Sequence, residues 1–171
     1  TYTPQQPALT RGRGFFPRQQ DWIDALVWDL QDLRVAPRDA SGFMDYSGHP
    51  VYSALLAEGP AAVEALLRCL AVDYRLSRCV VPAGPWACSR RLVPVRDIAY
   101  DLLTRIFGHD DFPPLPPFNS LAPHTRARCE EQARHMGAWW RRNKDLSPAQ
   151  RAVRAWADDL PFSEHLFKEG T

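Results

Sequence analysis

The fold is decided by two amphipathic stretches, PAAVEALLRCLAVD at residues 60–73 and VRDIAYDLLTRIFG at residues 95–108. In each stretch the apolar side chains recur at the spacing of one helix face. A proline begins the first stretch, where a helix tolerates it, and a glycine ends the second, where a helix commonly stops. The two stretches therefore predict a pair of helices with an insert between them.

This pair resembles the two helices of a HEAT repeat. Asp73 lies where the first helix of that family ends in an Asp turn, and Val95 and Arg96 lie where the second helix begins with Val-Arg. The family joins its two helices by a few residues, whereas residues 74–94 intervene here. The resemblance implies an all-α fold of antiparallel helical hairpins. It also implies a protein-binding or scaffold role, because stacked helices offer extended surfaces.

Helical periodicity continues on both sides of this pair. Apolar positions at helical spacing, bounded by prolines, glycines or capping residues, predict further helices at residues 21–34, 50–58, 124–142 and 148–159.

The last of these helices has a well-defined start. Ser147, Pro148 and Gln150 have the spacing of a capping box with a proline at the first helical position. We expect its buried face to consist of Ala152, Val153 and Trp156.

Two segments are expected to be irregular. Residues 1–18 form an arm with glycines and prolines, and residues 109–123 form a proline-rich strap. Apolar side chains recur at every third residue of the strap, at Phe112, Leu115, Phe118 and Leu121. This period fits a polyproline helix that covers the protein's own core, or alternatively a ligand for an aromatic-lined domain. Together these segments and helices predict a single helical domain over residues 1–171.

The insert at residues 74–94 is too rich in prolines to be one helix, but its Val80-Val81 and Arg91-Leu92-Val93 segments could pair as a small hairpin. Long insertions in helical stacks emerge on one face and often meet a partner. Because Trp and Arg dominate interface energetics, we expect Trp86, Arg90 and Arg91 to contact a protein partner.

The cysteines allow two interpretations. Cys79 and Cys88 flank a short loop with turn residues and could form a disulfide, and Cys69 with Cys129 is a second possible pair. Alternatively, the thiols are reduced and buried. A chain that starts at Thr1 with a polar lead favours an exported, periplasmic or extracellular origin over a cytoplasmic one.

Composition fits one globular domain of 171 residues with a net charge of +1. This charge gives no global attraction to nucleic acid or anionic lipid, and no apolar run is long enough to span a membrane. The predicted helix at 124–142 is locally basic, however. Its Arg134, Arg141 and Arg142 are candidate nucleic-acid contacts, with Trp140 able to stack on a base, although the neutral overall charge disfavours that function.

No catalytic motif occurs in the sequence. The five histidines lack the spacing that places two metal ligands on one helix face, and there is no nucleophile elbow, P-loop, dinucleotide fingerprint or C-x-x-C pair. We therefore predict no metal site, no cofactor and no catalytic residue.

The sequence as a whole favours a non-catalytic protein-binding or assembly subunit that uses its helices and insert within a larger complex. A nucleic-acid-binding HEAT-like protein is the first alternative. An exported hydrolase whose site is assembled from distant residues is the second.

Overall fold

The computed structural model describes residues 7–35, 44–83, 89–109, 112–115 and 123–159. Helices predominate in these ranges, and the fold is all-α with one small antiparallel hairpin, as the sequence predicts. The elements are α1 (Ala8–Arg11), α2 (Gln19–Asp29), α3 (Pro50–Glu58), α4 (Val63–Val72), β1 (Leu76–Ala83), β2 (Ser89–Pro94), α5 (Val95–Phe107), α6 (Pro123–Asn143) and α7 (Pro148–Asp159). None of the helices in the described ranges combines the length and apolar character needed to cross a bilayer.

Helix α4 lies at the centre of the packing and contacts α2, α5 and α6. Its predicted apolar face is buried, and so is that of α5. One continuous core joins these helices with buried side chains from α1, α2, α3, β1, β2 and α6. Each fully buried aliphatic side chain contributes about 1.5–3 kcal/mol relative to an exposed one, so this shared core is the main source of stability.

The C-terminal end of α5 is set by Gly108, as predicted. This glycine adopts a left-handed conformation with φ 66° and ψ 33°. Its N–H donates to the Arg105 carbonyl, and the next N–H, from His109, donates to the Thr104 carbonyl. Two of the last carbonyls of α5 are thereby satisfied, at a backbone conformation that other residues adopt only with strain.

Helix α6 approaches α4 closely at Gly137, which lies inside α6. A Cβ at this position would lie 3.2 Å from Cδ1 of Leu67. Glycine is unfavourable inside a helix, and its presence here is explained by this short approach between α4 and α6.

The predicted hairpin is present. Strands β1 and β2 pair antiparallel, with Val80 opposite Leu92 and Val81 opposite Arg91, and the register shifts between Leu76 and Val80. Its inner side is fixed by Ser77, whose hydroxyl donates to the Val93 carbonyl at 2.8 Å.

The arm at residues 1–18 is less irregular than expected. Its described part contains α1 and a 3-10 turn at Arg13–Phe15. Helix α1 is held against α2 because the N–H of Ala8 donates to a carboxylate oxygen of Asp29 at 2.5 Å. Although glycines and prolines surround this single helical turn, the distant carboxylate stabilises it by acting as a cap.

The strap packs on the core in the part that the structure describes. The ring of Phe112 is buried and contacts Phe107, His109 and Trp139 at centroid distances of 4.6–5.8 Å. Leu115 is half-buried against the same core. The other two strap positions, Phe118 and Leu121, lie outside the described residues.

The start of α7 is as predicted, but its buried face is not. Ser147 and Gln150 form the reciprocal capping-box hydrogen bonds, at 2.9 and 3.3 Å. Ala152 and Val153 are exposed, and the Trp156 side chain lies outside the described residues. Arg151 is buried instead: its guanidinium donates to the Ile106 carbonyl at 3.1 Å and lies over the Trp140 ring. The prediction was wrong because it treated arginine only as a solvent-facing residue, whereas here it pairs with a helix-end carbonyl and an aromatic face.

Candidate protein-interaction surface

Arg75 fixes the hairpin to the C-terminal end of α2. Its guanidinium donates to both carboxylate oxygens of Asp73 at 2.6–3.0 Å and to the carbonyl of Trp28 at 2.9 Å. The guanidinium carbon lies 4.3 Å from the centroid of the Trp28 ring. A cation is favourable here because the carbonyl end of a helix is electronegative and an indole face attracts positive charge. Trp28 is consequently held at the surface, with half of its area exposed.

The solvent side of the hairpin carries apolar side chains. Along β1, Leu76, Arg78 and Val80 are exposed, while the intervening residues are buried. Val80 faces Leu92 of β2, which is also exposed. Arg78 pairs with Asp32 at 3.0 Å, which places the strand beside the turn that follows α2.

We call the resulting surface the outer face. It is defined by five exposed apolar side chains: Trp28, Val72, Leu76, Val80 and Leu92. Their exposed fractions are 36–53%. Trp28 stacks on Arg75, which directly precedes Leu76 of β1, and Val80 faces Leu92 across the hairpin. Val72 lines the same groove as Arg75. Isolated exposed apolar residues are ordinary, but several together indicate an interaction site.

An open groove of about 700 Å³ borders the outer face, between α2 and α4. Its apolar lining includes Val27, Ala65 and Val72. On its rim, Asp24 pairs with Arg68 at 3.0 Å. Since Ala65 and Val72 lie seven positions apart on α4, the lining follows one side of that helix for two turns.

The polar groups in the groove are already engaged with each other. The Cys69 thiol lies 3.5 Å from the Asp73 carboxylate, and burial, reinforced by that carboxylate, raises the pKa of Cys69. Burial alone would raise the pKa of Asp73, but the hydrogen bonds from Arg75 outweigh it and lower that pKa. A protonated thiol and an arginine-bound carboxylate are unsuited to act as nucleophile and base. The groove therefore suits contact better than covalent chemistry.

The residues that the sequence predicted for partner contact are only partly described. Trp86 lies outside the described residues. The backbones of Arg90 and Arg91 lie in β2, opposite Pro82 and Val81, and their side chains are outside the described part. Their strand thus belongs to the same hairpin as the outer face.

The described cysteines fit the interpretation of reduced, buried thiols. Cys79 is a buried free thiol that points inward, with its sulfur 3.5 Å from the Leu33 carbonyl. Its possible partner, Cys88, lies outside the described residues. Cys69 and Cys129 are also buried free thiols, so the possible disulfide between them is not present in this structure. The interpretation of small buried side chains holds for all three described cysteines.

The basic helix has a different geometry from the one expected for base stacking. Arg134, Arg141 and Arg142 are exposed on α6. Trp140, however, is buried and stacks on Phe107 with centroids 5.0 Å apart and planes 8° apart. It is part of the core and unavailable to a base. Arg141 and Arg142 lie in the last turn of α6, where positive charge is stabilising without any ligand.

Sequence analysis missed the outer face because helical periodicity identifies buried positions. Trp28 lies off the apolar stripe of α2, and the one available signal was a large aromatic on the polar side of an amphipathic helix.

Among the described residues, no group of three or more His, Cys, Asp and Glu side chains could hold a metal ion. Comparison of the chain with known protein families, with curated proteins and with solved structures found no match.

Proposed function

We propose that this protein is a non-catalytic binding or assembly subunit and that the outer face is its contact surface. The observation that carries the proposal is the concentration of Trp28, Val72 and the hairpin side chains on one surface, beside an apolar groove. Tryptophan and arginine dominate the binding energy of protein interfaces, and the Trp28–Arg75 stack presents both in a fixed geometry.

The partner that fits this surface is an amphipathic helix. The groove follows two turns of α4, and its apolar lining is bordered by charges of both signs from Asp24 and Arg68. A helix with apolar side chains at one-turn intervals and charges of both signs beside them would complement it. Trp86, Arg90 and Arg91 would extend the contact from the hairpin.

We further propose that α4 and α5 are a HEAT-like helix pair and that residues 74–94 are its partner-binding insert. Support comes from the direct packing of α4 on α5 and from the position of the insert as a hairpin between them. A surface-exposed hairpin on a helical scaffold is a common arrangement for recognition.

The test is comparative affinity capture followed by reconstitution. Wild-type protein, a Val80→Ser/Leu92→Ser variant and a Phe15→Ser control are used as baits at equal concentration. Phe15 is an exposed apolar residue outside the outer face, so its replacement controls for general loss of surface apolarity. We expect to find a protein that is captured by the wild-type bait and by the Phe15→Ser control but not by the Val80→Ser/Leu92→Ser variant.

The captured protein is then purified and its affinity for each bait is measured by calorimetry. We expect the hairpin variant to bind at least about tenfold more weakly, since two exposed aliphatic side chains contribute at least about 1.4 kcal/mol when buried. Equal affinities for all three baits, or capture of no protein that depends on the hairpin, would overturn the proposal.

Nucleic-acid binding is the competing function, and the exposure of Arg134, Arg141 and Arg142 is what favours it. Its signature is an affinity for duplex DNA that falls steeply with salt, because each neutralised phosphate releases about 0.9 counterion. The Arg134→Ser/Arg141→Ser/Arg142→Ser variant should lower that slope by about three under this competing function. If the salt dependence of the affinity were unchanged in this variant, nucleic-acid binding through these arginines would be excluded.

A further inference from the structure

Helix α3 begins with an unusual cap. Its N-cap residue is His49, whose Nδ1 accepts a hydrogen bond from the N–H of Val51 at 3.3 Å. Pro50, at the first helical position, has no N–H, so that Val51 is the first donor of the helix that requires an acceptor. The imidazole therefore occupies the place that Ser, Thr, Asp or Asn usually takes.

The cap is coupled to the turn before it. The N–H of His49 donates to the Tyr46 carbonyl at 2.9 Å. The Ser53 hydroxyl donates to the Ser47 carbonyl at 2.8 Å. The rings of Tyr46 and Tyr52 stack with their centroids 5.7 Å apart. Residues 44–49 and the first turn of α3 therefore form one hydrogen-bonded and stacked unit on the core.

Protonation is incompatible with this cap. An imidazolium carries hydrogen on both ring nitrogens, so its Nδ1 cannot accept from Val51. It also places a positive charge at the positive end of a helix. A protonated His49 must therefore leave its position, and Val51 then loses its acceptor.

The charged groups around this unit come from its own turn and from α5. Asp45 lies in the turn, and Asp101 accepts a hydrogen bond from the Tyr52 hydroxyl. Arg105 lies over the Tyr52 ring and pairs with Asp101, and Asp97 also lies on α5. Burial, and not any of these charges, lowers the pKa of the His49 imidazole.

We propose that His49 makes the start of α3 an acid-sensitive element, in which protonation of the imidazole uncaps the helix and releases residues 44–49 from the core.

The direction of the effect follows from linkage. Because the folded protein holds the pKa of His49 below its unfolded value of about 6.5, the neutral imidazole is the form that favours folding. The stabilisation is fully present above about pH 6.5 and is lost as the pH falls through the lower pKa of the folded state. The release is therefore expected at mildly acidic pH.

Amide hydrogen exchange of the full chain, followed by NMR between pH 7.5 and 5 and corrected for intrinsic rates, tests the proposal. The variants are His49→Asn, which keeps a cap acceptor but does not titrate, and His49→Ala, which has no cap at any pH. His135→Gln is the control, because His135 is an exposed histidine that belongs to α6 and not to α3 or the turn before it. The readout is the protection of three amides: Val51 and Ser53, which donate to Nδ1 and to the carbonyl of His49, and His49 itself, which donates to the Tyr46 carbonyl.

In wild type and in the His135→Gln control we expect this protection to fall roughly fivefold on acidification, as for the loss of one helix cap. In His49→Asn it should stay constant, and in His49→Ala it should be low throughout. Constant protection in wild type, or an equal fall in His49→Asn, would overturn the proposal.

Discussion

The backbone N–H of Ala8 donates to the carboxylate of Asp29, a hydrogen bond that joins the start of α1 to the end of α2. Burial raises the pKa of Asp29 more than this bond and the charges of Arg11 and Arg75 lower it. The ionised carboxylate is thus a cost to the folded state that protonation removes. The pKa of Asp29 is higher in the folded than in the unfolded protein, so its protonation stabilises the fold. This stabilisation grows as the pH falls through the folded pKa and is complete below the unfolded pKa.

We therefore predict that the stability of Asp29→Asn, compared with that of wild type, is more favourable at neutral pH than in acid. The amide can still accept from Ala8, and it carries no buried charge. The difference in unfolding free energy between variant and wild type, measured by urea denaturation from pH 3 to 7.5, should rise with pH. A difference that is flat with pH would show that burial does not perturb Asp29.

Removal of Arg75 should destabilise the protein more than removal of any exposed arginine. Arg75→Ala leaves the mostly buried Asp73 carboxylate without its partner and exposes the Trp28 face, and we expect a loss of about 2–3 kcal/mol. Arg75→Lys keeps the charge but not the planar fork, so its loss should be intermediate. The matched control is Arg68→Ala, whose half-exposed pair with Asp24 should contribute under about 1 kcal/mol. Equal effects of the two alanine variants in thermal denaturation would contradict this assignment.

The sequence predicted those parts of the fold that depend on local pattern. The helix pair at 60–73 and 95–108, the start of α3 at Pro50 and the capping box at Ser147 all follow from periodicity and end signals within a few residues. The Val80–Leu92 hairpin followed from β-branched segments around a loop. Local signals were sufficient because each of these elements satisfies its own backbone hydrogen bonds.

Features that depend on long-range contacts were not predicted. The cap of α1 comes from Asp29, and the buried face of α7 depends on a carbonyl of α5 that Arg151 reaches. The outer face was missed for the same reason, since only the folded chain brings Trp28 beside Arg75. Amphipathicity shows which side chains avoid water, but it does not show which exposed side chains come together.

Gly137 provides a steric test of the packing of α6 on α4. Gly137→Val should cost about 2–3 kcal/mol, because a branched side chain would overlap with Leu67. Gly137→Ala should change the unfolding free energy by less than about 1 kcal/mol, since the gain in helix propensity opposes a tight contact with a flexible side-chain end. The control is Gly14→Ala, where an added Cβ meets nothing within 4 Å. If Gly137→Val were as stable as wild type, the close approach of these two helices would be wrong.

The cysteines give a prediction that also bears on the expected export of the protein. Cys69, Cys79 and Cys129 are free but buried, so a thiol reagent should reach them only after unfolding. The raised pKa of Cys69 slows its reaction further, because the thiolate is the reactive form. Without reductant, alkylation followed by peptide mass spectrometry should leave these three sites unmodified in the native protein and modify them in urea. A cysteine that reacts in urea only after prior reduction would be disulfide-bonded. Such a bond would favour an oxidising compartment and therefore the expected export.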